Sequence, residues 1–382
     1  RAIEWLTASD REYYAPIWSP QNDRILYLAN RDGNLDLVLH DLDRGAEVLP
    51  TPPGLHNQVH FTPDSESIVF TYSSAAHPPD LWRVSLTARS AQQLTDSLPP
   101  AIDRSLFVPP THVWYPSLDP GVNVPALLYM PKDLPADRKP PAILYVHGGP
   151  TSQHDNDWYP TVQNFVTRGY VVICPNYRGS TGYGRRFREA NRFDLGRGDT
   201  HDTAAAADYL INAGLADPKR IAITGISYGG FLTMTCATQY PDKWAAGSAL
   251  VPFVNWFTEH ASEREDLQYW DDQNMGDPVK DYDRWYANSP IFFIDRITAP
   301  IQLIAAGNDV RCPPAEARQV RDRLIELGQT VELHIYADEG HILRQLANRV
   351  DAYQKRADFF DRYLKEPAMH QINPPSGIHV IS

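Results

Sequence analysis

Cysteine is scarce in this sequence. Three Cys residues occur, Cys174, Cys236 and Cys312, and they lie far apart in the chain. No two of them form a C-x-x-C pair, and the spacing typical of zinc sites is absent. The odd number and the wide separation argue against a disulfide framework and favour a reducing compartment. Cysteine usage therefore predicts a cytoplasmic protein.

Long apolar runs and an excess of basic charge are also missing. No apolar run reaches the roughly 18 residues that a membrane-spanning helix needs. The chain carries 35 basic and 47 acidic residues, a net charge of −12. Nucleic-acid-binding proteins usually present a basic face, so binding to a polyanion is disfavoured. We expect neither a membrane nor a nucleic acid as a partner.

The chain does contain enough apolar material for a large core. Of its 382 residues, 42% are hydrophobic and 21% are charged, which excludes a wholly disordered chain. Proline is abundant, with 33 residues, and because proline breaks helix interiors, coiled coils and long bundles are disfavoured. At roughly 150 residues per domain, the length predicts two or three domains.

The first 105 residues contain short apolar runs separated by turn residues, and they carry a repeat. The Trp-Ser-Pro at 18–20 matches the Phe-Thr-Pro at 61–63, and the Leu-Thr at 6–7 matches that at 94–95. Four strands per unit with a period of about 40–45 residues are typical of a β-propeller. We expect two complete propeller blades, preceded by the last strand of a further blade. The alternative is two unrelated hairpin pairs.

A propeller of two blades cannot close and would leave a sheet edge open to pairing. We therefore expect that Arg1 is not the natural start of the protein. About five blades, on the order of 200 residues, would precede it.

From about residue 140 the pattern changes to alternating strands and helices. Such alternation predicts an α/β fold in which helices cover both faces of a mostly parallel sheet. A proline-rich connector separates this region from the predicted blades, and its stretch 124–129 fits an antiparallel edge strand. The predicted organisation is a partial propeller at 1–105, a connector at 106–135, an α/β domain at 136–368 and a tail at 369–382.

Ser227 is the candidate nucleophile. It is the serine of a G-x-S-x-G motif within residues 225–230, placed between an apolar strand and a helix as in a nucleophile elbow. Small neighbours let the strand and the helix approach each other, and the helix N-terminus brings N–H groups near a developing oxyanion. The alternative is a plain glycine-rich turn.

A serine hydroxyl needs a base and an acid that orients the base. His341 lies in a loop after the predicted strand at 331–336, and Asp309 follows the predicted strand at 301–306. The order Ser, Asp, His is that of α/β-hydrolases. Asp309 would hold the imidazole tautomer and stabilise the imidazolium. Asp338 is nearer to the histidine in sequence, but we expect it to cap its own turn.

The oxyanion site is predicted in the loop that follows the strand at 143–146. In the His-Gly-Gly-Pro at 147–150, the N–H of Gly149 would act together with the N–H of Tyr228. His147 is disfavoured as a base because it precedes the serine. A second glycine-rich segment, 176–184, fits a tight loop. It lacks the GK[ST] signature of phosphate sites.

Together these motifs resemble the prolyl oligopeptidase family of serine peptidases, and most of all its acylaminoacyl-peptidase branch. The resemblance covers residues from about 106 to 365, and the two predicted blades extend it. It implies an α/β-hydrolase domain capped by a β-propeller that restricts access to short peptides. It also implies the triad Ser227, Asp309 and His341, with no metal and no organic cofactor.

The resemblance further implies substrate-binding positions. Arg311 resembles a residue that contacts the substrate backbone or acyl group. Phe253 and Trp256 resemble the apolar lining of the specificity pocket, although core packing is the alternative for both. The dipeptidyl-peptidase branch places an oxyanion-binding Tyr where His147 stands here, which argues for backbone donors in this chain.

Three functions compete at this point. The first is a serine peptidase acting on short peptides, N-blocked ones included, whose activity falls in acid because the base must be neutral. The second is a small-ester hydrolase with the same triad, which the propeller repeat argues against. The third is an interaction protein with an inactive hydrolase domain, which the intact triad argues against. The sequence leaves the oligomeric state open, a homo-oligomer included.

Overall fold

The computed structural model describes residues 5–7, 11–134 and 138–365. The predicted tail at 369–382 lies outside these ranges, as does much of the strand predicted at the start of the chain. No helix within the described ranges combines the length and the apolar character needed to cross a membrane.

The N-terminal region forms one sheet of eight strands. They are β1 (Tyr13–Trp18), β2 (Arg24–Arg31), β3 (Asn34–Asp41), β4 (Gly45–Val48), β5 (Leu55–Phe61), β6 (Ser67–Ser74), β7 (His77–Ser85) and β8 (Ser90–Gln93). Strands β1–β4 and β5–β8 are two antiparallel units, joined by one parallel pair, Leu35 with Leu55. The matched tripeptides begin at Trp18 and Phe61, the last residues of β1 and β5. The four-strand repeat is therefore present, whereas the propeller blades stay a prediction because a single sheet joins the strands.

The hairpin between β2 and β3 has a two-residue turn. Arg31 pairs with Asn34, and Asp32 and Gly33 between them adopt φ values of 51° and 80°. Two left-handed residues form the turn type whose twist matches that of the flanking strands. The Asp-Gly dipeptide thus fixes the register of the hairpin.

The rest of the described chain builds a second sheet of eight strands. They are β9 (Thr111–Pro116), β10 (Asn123–Tyr129), β11 (Ala142–Val146), β12 (Val171–Pro175), β13 (Ile221–Ile226), β14 (Ala246–Leu250), β15 (Ile301–Ala306) and β16 (Val331–Tyr336). Their order is β16-β15-β14-β13-β11-β12-β10-β9, and β11–β16 run parallel. The parallel sheet predicted for this region is confirmed.

The antiparallel strand predicted at 124–129 is present as β10, but its predicted place at the edge of the sheet was wrong. Strand β10 pairs with β12 on one side and with β9 on the other, so β9 lies at the edge of the sheet. Strand β9 was not predicted, because the connector is rich in proline, which disfavours strands. Pro116 is the last residue of β9, so it ends the strand without interrupting it. The connector therefore contributes two strands to the second sheet.

The described residues form nine α-helices, some of which cover the two faces of the second sheet. They are α1 (Pro160–Thr167), α2 (Arg185–Arg188), α3 (Gly198–Asn212), α4 (Tyr228–Gln239), α5 (Trp256–Ser262), α6 (Glu265–Met275), α7 (Tyr282–Ala287), α8 (Pro314–Glu326) and α9 (Leu346–Leu364). Along β11, Leu144 packs in the core that includes Phe231 of α4, and Ile143 packs in the core that includes Phe360 of α9. Burial on both faces explains why these strands are continuous apolar runs.

Candidate active site

Ser227 stands at a strained turn between β13 and α4. Its φ is 58° and its ψ is −122°, in a region that residues other than glycine seldom adopt and that costs about 1–3 kcal/mol. Its N–H donates to the carbonyl of Leu250 at the end of β14, at 2.9 Å. The bond to the neighbouring strand holds the turn, and the turn presents the hydroxyl at the carboxyl end of the sheet.

Glycines are required around this turn because other backbone atoms come very close. A Cβ at Gly225 would collide with the carbonyl of Gly229, and a Cβ at Gly229 would collide with the carbonyl of Val146. A Cβ at Gly148 would lie 3.0 Å from the Ile226 oxygen and 3.4 Å from the Ser227 Cβ. The loop after β11 is therefore packed directly against the nucleophile.

Ser227, His341 and Asp309 form a hydrogen-bonded chain. The Ser227 hydroxyl donates to His341 Nε2 at 2.9 Å, and His341 Nδ1 donates to Asp309 Oδ2 at 2.8 Å. The Asp309 carboxylate can only accept, so the imidazole proton lies on Nδ1 and leaves Nε2 as the acceptor. The Asp309 side chain is fully buried, and that of His341 is 14% exposed. The three residues predicted for the triad thus lie in hydrogen-bonding order.

Backbone groups hold Asp309 in place. Its Oδ1 accepts from the N–H of Arg311 at 2.9 Å and from the N–H of Cys312 at 3.0 Å. Asp338, the other acid considered for this position, is exposed and bonds to Gln345 instead. The structure therefore brings Asp309, and not Asp338, to the histidine.

Of the two predicted oxyanion donors, Tyr228 follows Ser227 in the chain and Gly149 follows Gly148, which packs against Ser227. Tyr228 is the first residue of α4, so its N–H has no acceptor within the helix. Gly149 adopts a φ of 134°, a conformation that favours glycine. The use of the two N–H groups as oxyanion donors stays a prediction.

The Tyr228 hydroxyl is anchored to Asp199 on α3. It donates to Asp199 Oδ2 at 2.5 Å, while Asp199 Oδ1 accepts from the N–H of Gly196 at 2.9 Å. Burial raises the pKa of Asp199 to about 7. Sequence reasoning missed Asp199, because nothing in its local sequence distinguishes it from a helix-capping acid.

The segment 176–184 lies against the loop that contains Gly149. The ring of Tyr177 stacks on His147, with centroids 4.3 Å apart, and the Ser180 hydroxyl is 2.9 Å from His147 Nε2. Burial lowers the pKa of His147 to about 4, so the ring is neutral near pH 7. This segment is the tight loop that its glycines predicted, and its side chains hold His147.

The three predicted substrate-binding residues differ in exposure. Arg311 is exposed, two residues after Asp309. Phe253 and Trp256 are buried, with ring centroids 4.7 Å apart, and Phe253 stacks on Phe231 at 4.5 Å. Core packing, the alternative considered for these two aromatics, agrees with this burial. Their contact with a substrate stays a prediction.

Sequence reasoning also missed a group of carboxylates that lie close to one another. They lie on or next to α5, α6 and α8 and are Glu259, Glu263, Asp271 and Glu316. Their local sequence gave no signal, because Glu263 follows the last residue of α5 in extended backbone and does not share a helical face with Glu259.

Comparison with known proteins matches this chain to peptidases, both by sequence and by structure. The model of the prolyl oligopeptidase family matches residues 156–367. Dipeptidyl-peptidase 5 of Porphyromonas gingivalis is 27% identical over 91% of this chain and 52% of its own length. The structure of the Pyrococcus horikoshii acylaminoacyl peptidase matches with a TM-score of 0.82 and 25% identity, over 95% of this chain and 57% of that one. A puromycin-hydrolyzing peptidase of Mycobacterium tuberculosis matches in fold with a TM-score of 0.86 and 24% identity, over 96% and 55% of the two chains. The chain spans about half the length of the curated relatives it matches.

Proposed function

The chain belongs to the prolyl oligopeptidase family of serine peptidases, and from this membership we propose that it hydrolyses short peptides through an acyl-enzyme on Ser227. The observation that carries the proposal is the hydrogen-bonded chain from Ser227 through His341 to Asp309. A hydroxyl at 2.9 Å from an unprotonated imidazole nitrogen can lose its proton as it attacks a carbonyl.

In the first half of the reaction, the Ser227 oxygen bonds to the carbonyl carbon of the scissile peptide and its proton passes to His341 Nε2. Asp309 stabilises the imidazolium. The carbonyl oxygen becomes an oxyanion, to which the N–H groups of Tyr228 and Gly149 donate. As the intermediate collapses, the C–N bond breaks and His341 returns the proton to the leaving amine. A water molecule then releases the acyl group by the same steps.

The N-terminal sheet would restrict access to the site. We assign its two four-stranded units to two propeller blades at 1–105, followed by the connector at 106–135 and the α/β-hydrolase domain at 136–368. Hydrogen bonds between the two sheets support a fixed arrangement, because Asn156 Nδ2 donates to Asn34 Oδ1 at 2.9 Å. A gate of this kind favours short peptides over folded proteins. Cytoplasmic localisation remains the prediction from composition.

Substrates with a blocked or a free N-terminus both fit the proposal. The matched proteins include an acylaminoacyl peptidase and a dipeptidyl peptidase. Arg311, exposed beside the triad, would contact the substrate backbone or acyl group. Phe253 and Trp256 would form the apolar wall of the pocket for the side chain next to the scissile bond.

The test is a peptide library with free and N-acetylated termini, assayed with the full-length protein beside simple esters. We expect peptide turnover and labelling of Ser227 by a fluorophosphonate probe. The Ser227→Ala variant should lose both and keep the fold, while Ser90→Ala, at an exposed serine on β8, should keep both. Efficient ester cleavage without peptide turnover would identify an ester hydrolase. Absence of labelling would favour the inactive interaction protein.

A further inference from the structure

We propose that Glu12, a residue of the N-terminal region, positions the oxyanion site of the hydrolase region. The inference rests on the proposed peptidase function, in which the N–H of Gly149 is one of the two oxyanion donors. Glu12 contacts no reacting atom. It acts through residues 180–182 of the tight loop at 176–184, so it is a positioning residue rather than a catalytic one.

The tight loop holds the segment around Gly149 on both sides of that glycine. Before Gly149, the Ser180 hydroxyl lies 2.9 Å from His147 Nε2, within hydrogen-bond distance. After Gly149, the N–H of Thr181 donates to the carbonyl of Ser152 at 2.9 Å. Gly149 lies between these two bonds, so its place depends on where residues 180 and 181 are held.

The backbone around Gly149 is closely packed. A Cβ at Gly149 would lie 2.8 Å from the Thr151 nitrogen and 3.3 Å from the Ser152 Cβ. Little space is left in which the Gly149 N–H could turn while its neighbours stay in place. The direction of this N–H is therefore set by the bonds that hold His147 and Ser152.

Gly182, the next residue of the tight loop, contacts the N-terminal region. Its N–H donates to Glu12 Oε2 at 3.0 Å. The Glu12 carbonyl accepts from the N–H of Asn30 on β2 at 3.0 Å, which ties Glu12 to the N-terminal sheet. Asn30 Nδ2 also donates to Gln153 Oε1 at 3.2 Å. The N-terminal region thus bonds to the tight loop and to the segment that it holds.

The Glu12 carboxylate is suited to fixing the Gly182 backbone. Its side chain is only 11% exposed, and Arg188 Nη1 lies 3.9 Å from its Oε1. A charged acceptor makes a stronger hydrogen bond to an N–H than a neutral one does. Gly182 is buried, so removal of the carboxylate would leave its N–H without an acceptor. A buried unpaired N–H is costly, and the loop would shift to pair it.

Three consecutive residues therefore connect the N-terminal region to the oxyanion site. Residues 180 and 181 bond to the segment around Gly149, and residue 182 bonds to Glu12. Rigid peptide units join these residues, so a shift of one displaces the others. Loss of the Glu12 contact should displace the Gly149 N–H from the substrate oxygen. Such a displacement weakens the transition state more than the bound substrate.

The experiment compares a peptide ester with its thionoester, in which sulfur replaces the carbonyl oxygen. Sulfur accepts hydrogen bonds weakly, so an intact oxyanion site favours the oxygen substrate. Glu12→Ala should lower kcat/KM for the ester by about 10- to 100-fold, chiefly through kcat, because a small misplacement has effects of this size. The thionoester should be affected far less. The ester-to-thionoester ratio should therefore fall.

Two variants control for other effects. Glu12→Gln keeps an acceptor oxygen for the Gly182 N–H and should keep most of the wild-type ratio. Ser73→Ala removes a hydrogen bond to Asp157, a contact between the two regions that does not involve residues 180–182, and should leave the ratio unchanged. If Glu12→Ala does not fold, Glu12→Asp keeps the charge, withdraws the acceptor by one methylene group and should lower the ratio instead.

A ratio unchanged by Glu12→Ala, or by Glu12→Asp in its place, would overturn the inference. So would an equal fall in Ser73→Ala, because any loosening between the two regions would then have the same effect. An equal fall in Glu12→Gln would also overturn it, because charge and not the acceptor would be responsible. Ester cleavage by the wild-type protein without peptide turnover would contradict the proposed function, whereas the ratios would still decide the role of Glu12.

Discussion

At the scale of single residues, the proposed catalysis depends on which atoms Asp309 presents. Its Oδ1 is committed to the N–H groups of Arg311 and Cys312, so Oδ2 is the atom that faces His341. This fixed orientation decides the tautomer of the histidine. The tautomer in turn decides whether Nε2 can accept the proton of Ser227.

Asp309→Asn should lower kcat by about 10³- to 10⁴-fold with little loss of stability. The two backbone donors would keep the amide oxygen, so the amide nitrogen would face His341 Nδ1 and force the proton onto Nε2. Steady-state kinetics and the rate of fluorophosphonate labelling would both measure this effect. Asp338→Asn is the control, because Asp338 is exposed and bonds to Gln345. Equal losses in the two variants would contradict the assigned role of Asp309.

Residues in motifs were predictable from the sequence, and their supporting partners were not. Ser227 is marked by the glycines that its sharp turn requires, and His341 and Asp309 by their positions after predicted strands. Asp199 and Glu12 have no such signal. Their importance comes from burial and from contacts with distant segments, and a single sequence does not encode these in local spacing.

At the scale of elements, several hydrogen bonds join α3 to α4, and one of them lies next to Ser227. Asp199 is the second residue of α3, and it accepts from the hydroxyl of Tyr228, the first residue of α4. The carboxyl group is fully buried, and burial raises its pKa to about 7. Ionised Asp199 is therefore disfavoured in the folded state.

The Asp199→Asn variant should change how stability depends on pH. The pKa of Asp199 is raised on folding, so between pH 4 and 7 the unfolded chain ionises first and wild-type stability falls as pH rises. Asn does not ionise. The free energy of unfolding of the variant, relative to wild type, should therefore increase by about 2–4 kcal/mol from pH 4 to 7 and then level off. Urea unfolding at several pH values measures this difference.

Asp242→Asn, at an exposed acid, is the control for this series, because solvent surrounds its carboxyl group in the folded protein. A flat difference for Asp199→Asn would show that Asp199 ionises equally in the folded and unfolded states.

The strands of the parallel sheet were predictable from the sequence. The helices between β14 and β15 were not. Strands β11–β16 are apolar runs because both faces are buried, and helices with clear stops connect most of them. Helices α5–α7 were missed. They lie between β14 and β15, and α6 carries several charged side chains with few buried residues. Their places are set by contacts around the candidate site rather than by a periodic apolar face.

At the scale of the whole molecule, the two sheets meet through the segment that follows the Gly149 loop. The Asn156 N–H donates to the carbonyl of Gly33 at 2.7 Å, and Asn156 Oδ1 accepts from the N–H of Ala75 at 3.2 Å. Gly33 lies at the tip of the β2–β3 hairpin. The hairpin turn therefore contacts the catalytic region directly.

Asn156→Ala should weaken the contact between the two sheets. It leaves the buried N–H of Ala75 without its acceptor, at a cost of about 1–3 kcal/mol. We expect faster hydrogen exchange and easier proteolysis around residues 72–78. Asn57→Ala, at an exposed position on β5, should change neither. Protection unchanged by Asn156→Ala would show that other contacts hold the sheets together.

The repeat of the N-terminal region was visible in the sequence because its matched tripeptides begin at equivalent strand ends. The contact between the two regions was not visible. It is made by backbone groups and by scattered polar side chains, and such groups leave no periodic pattern in a sequence.

The strained backbone of Ser227 lowers the stability of the fold, and the proposed catalytic role is what would offset this cost in selection. A folded domain is stable by only about 5–15 kcal/mol, and the left-handed conformation uses about 1–3 kcal/mol of it. Glycine at this position would relieve the strain, so selection for stability alone would replace the serine. The proposed function therefore predicts that a lineage that no longer needs the reaction drifts towards glycine at position 227.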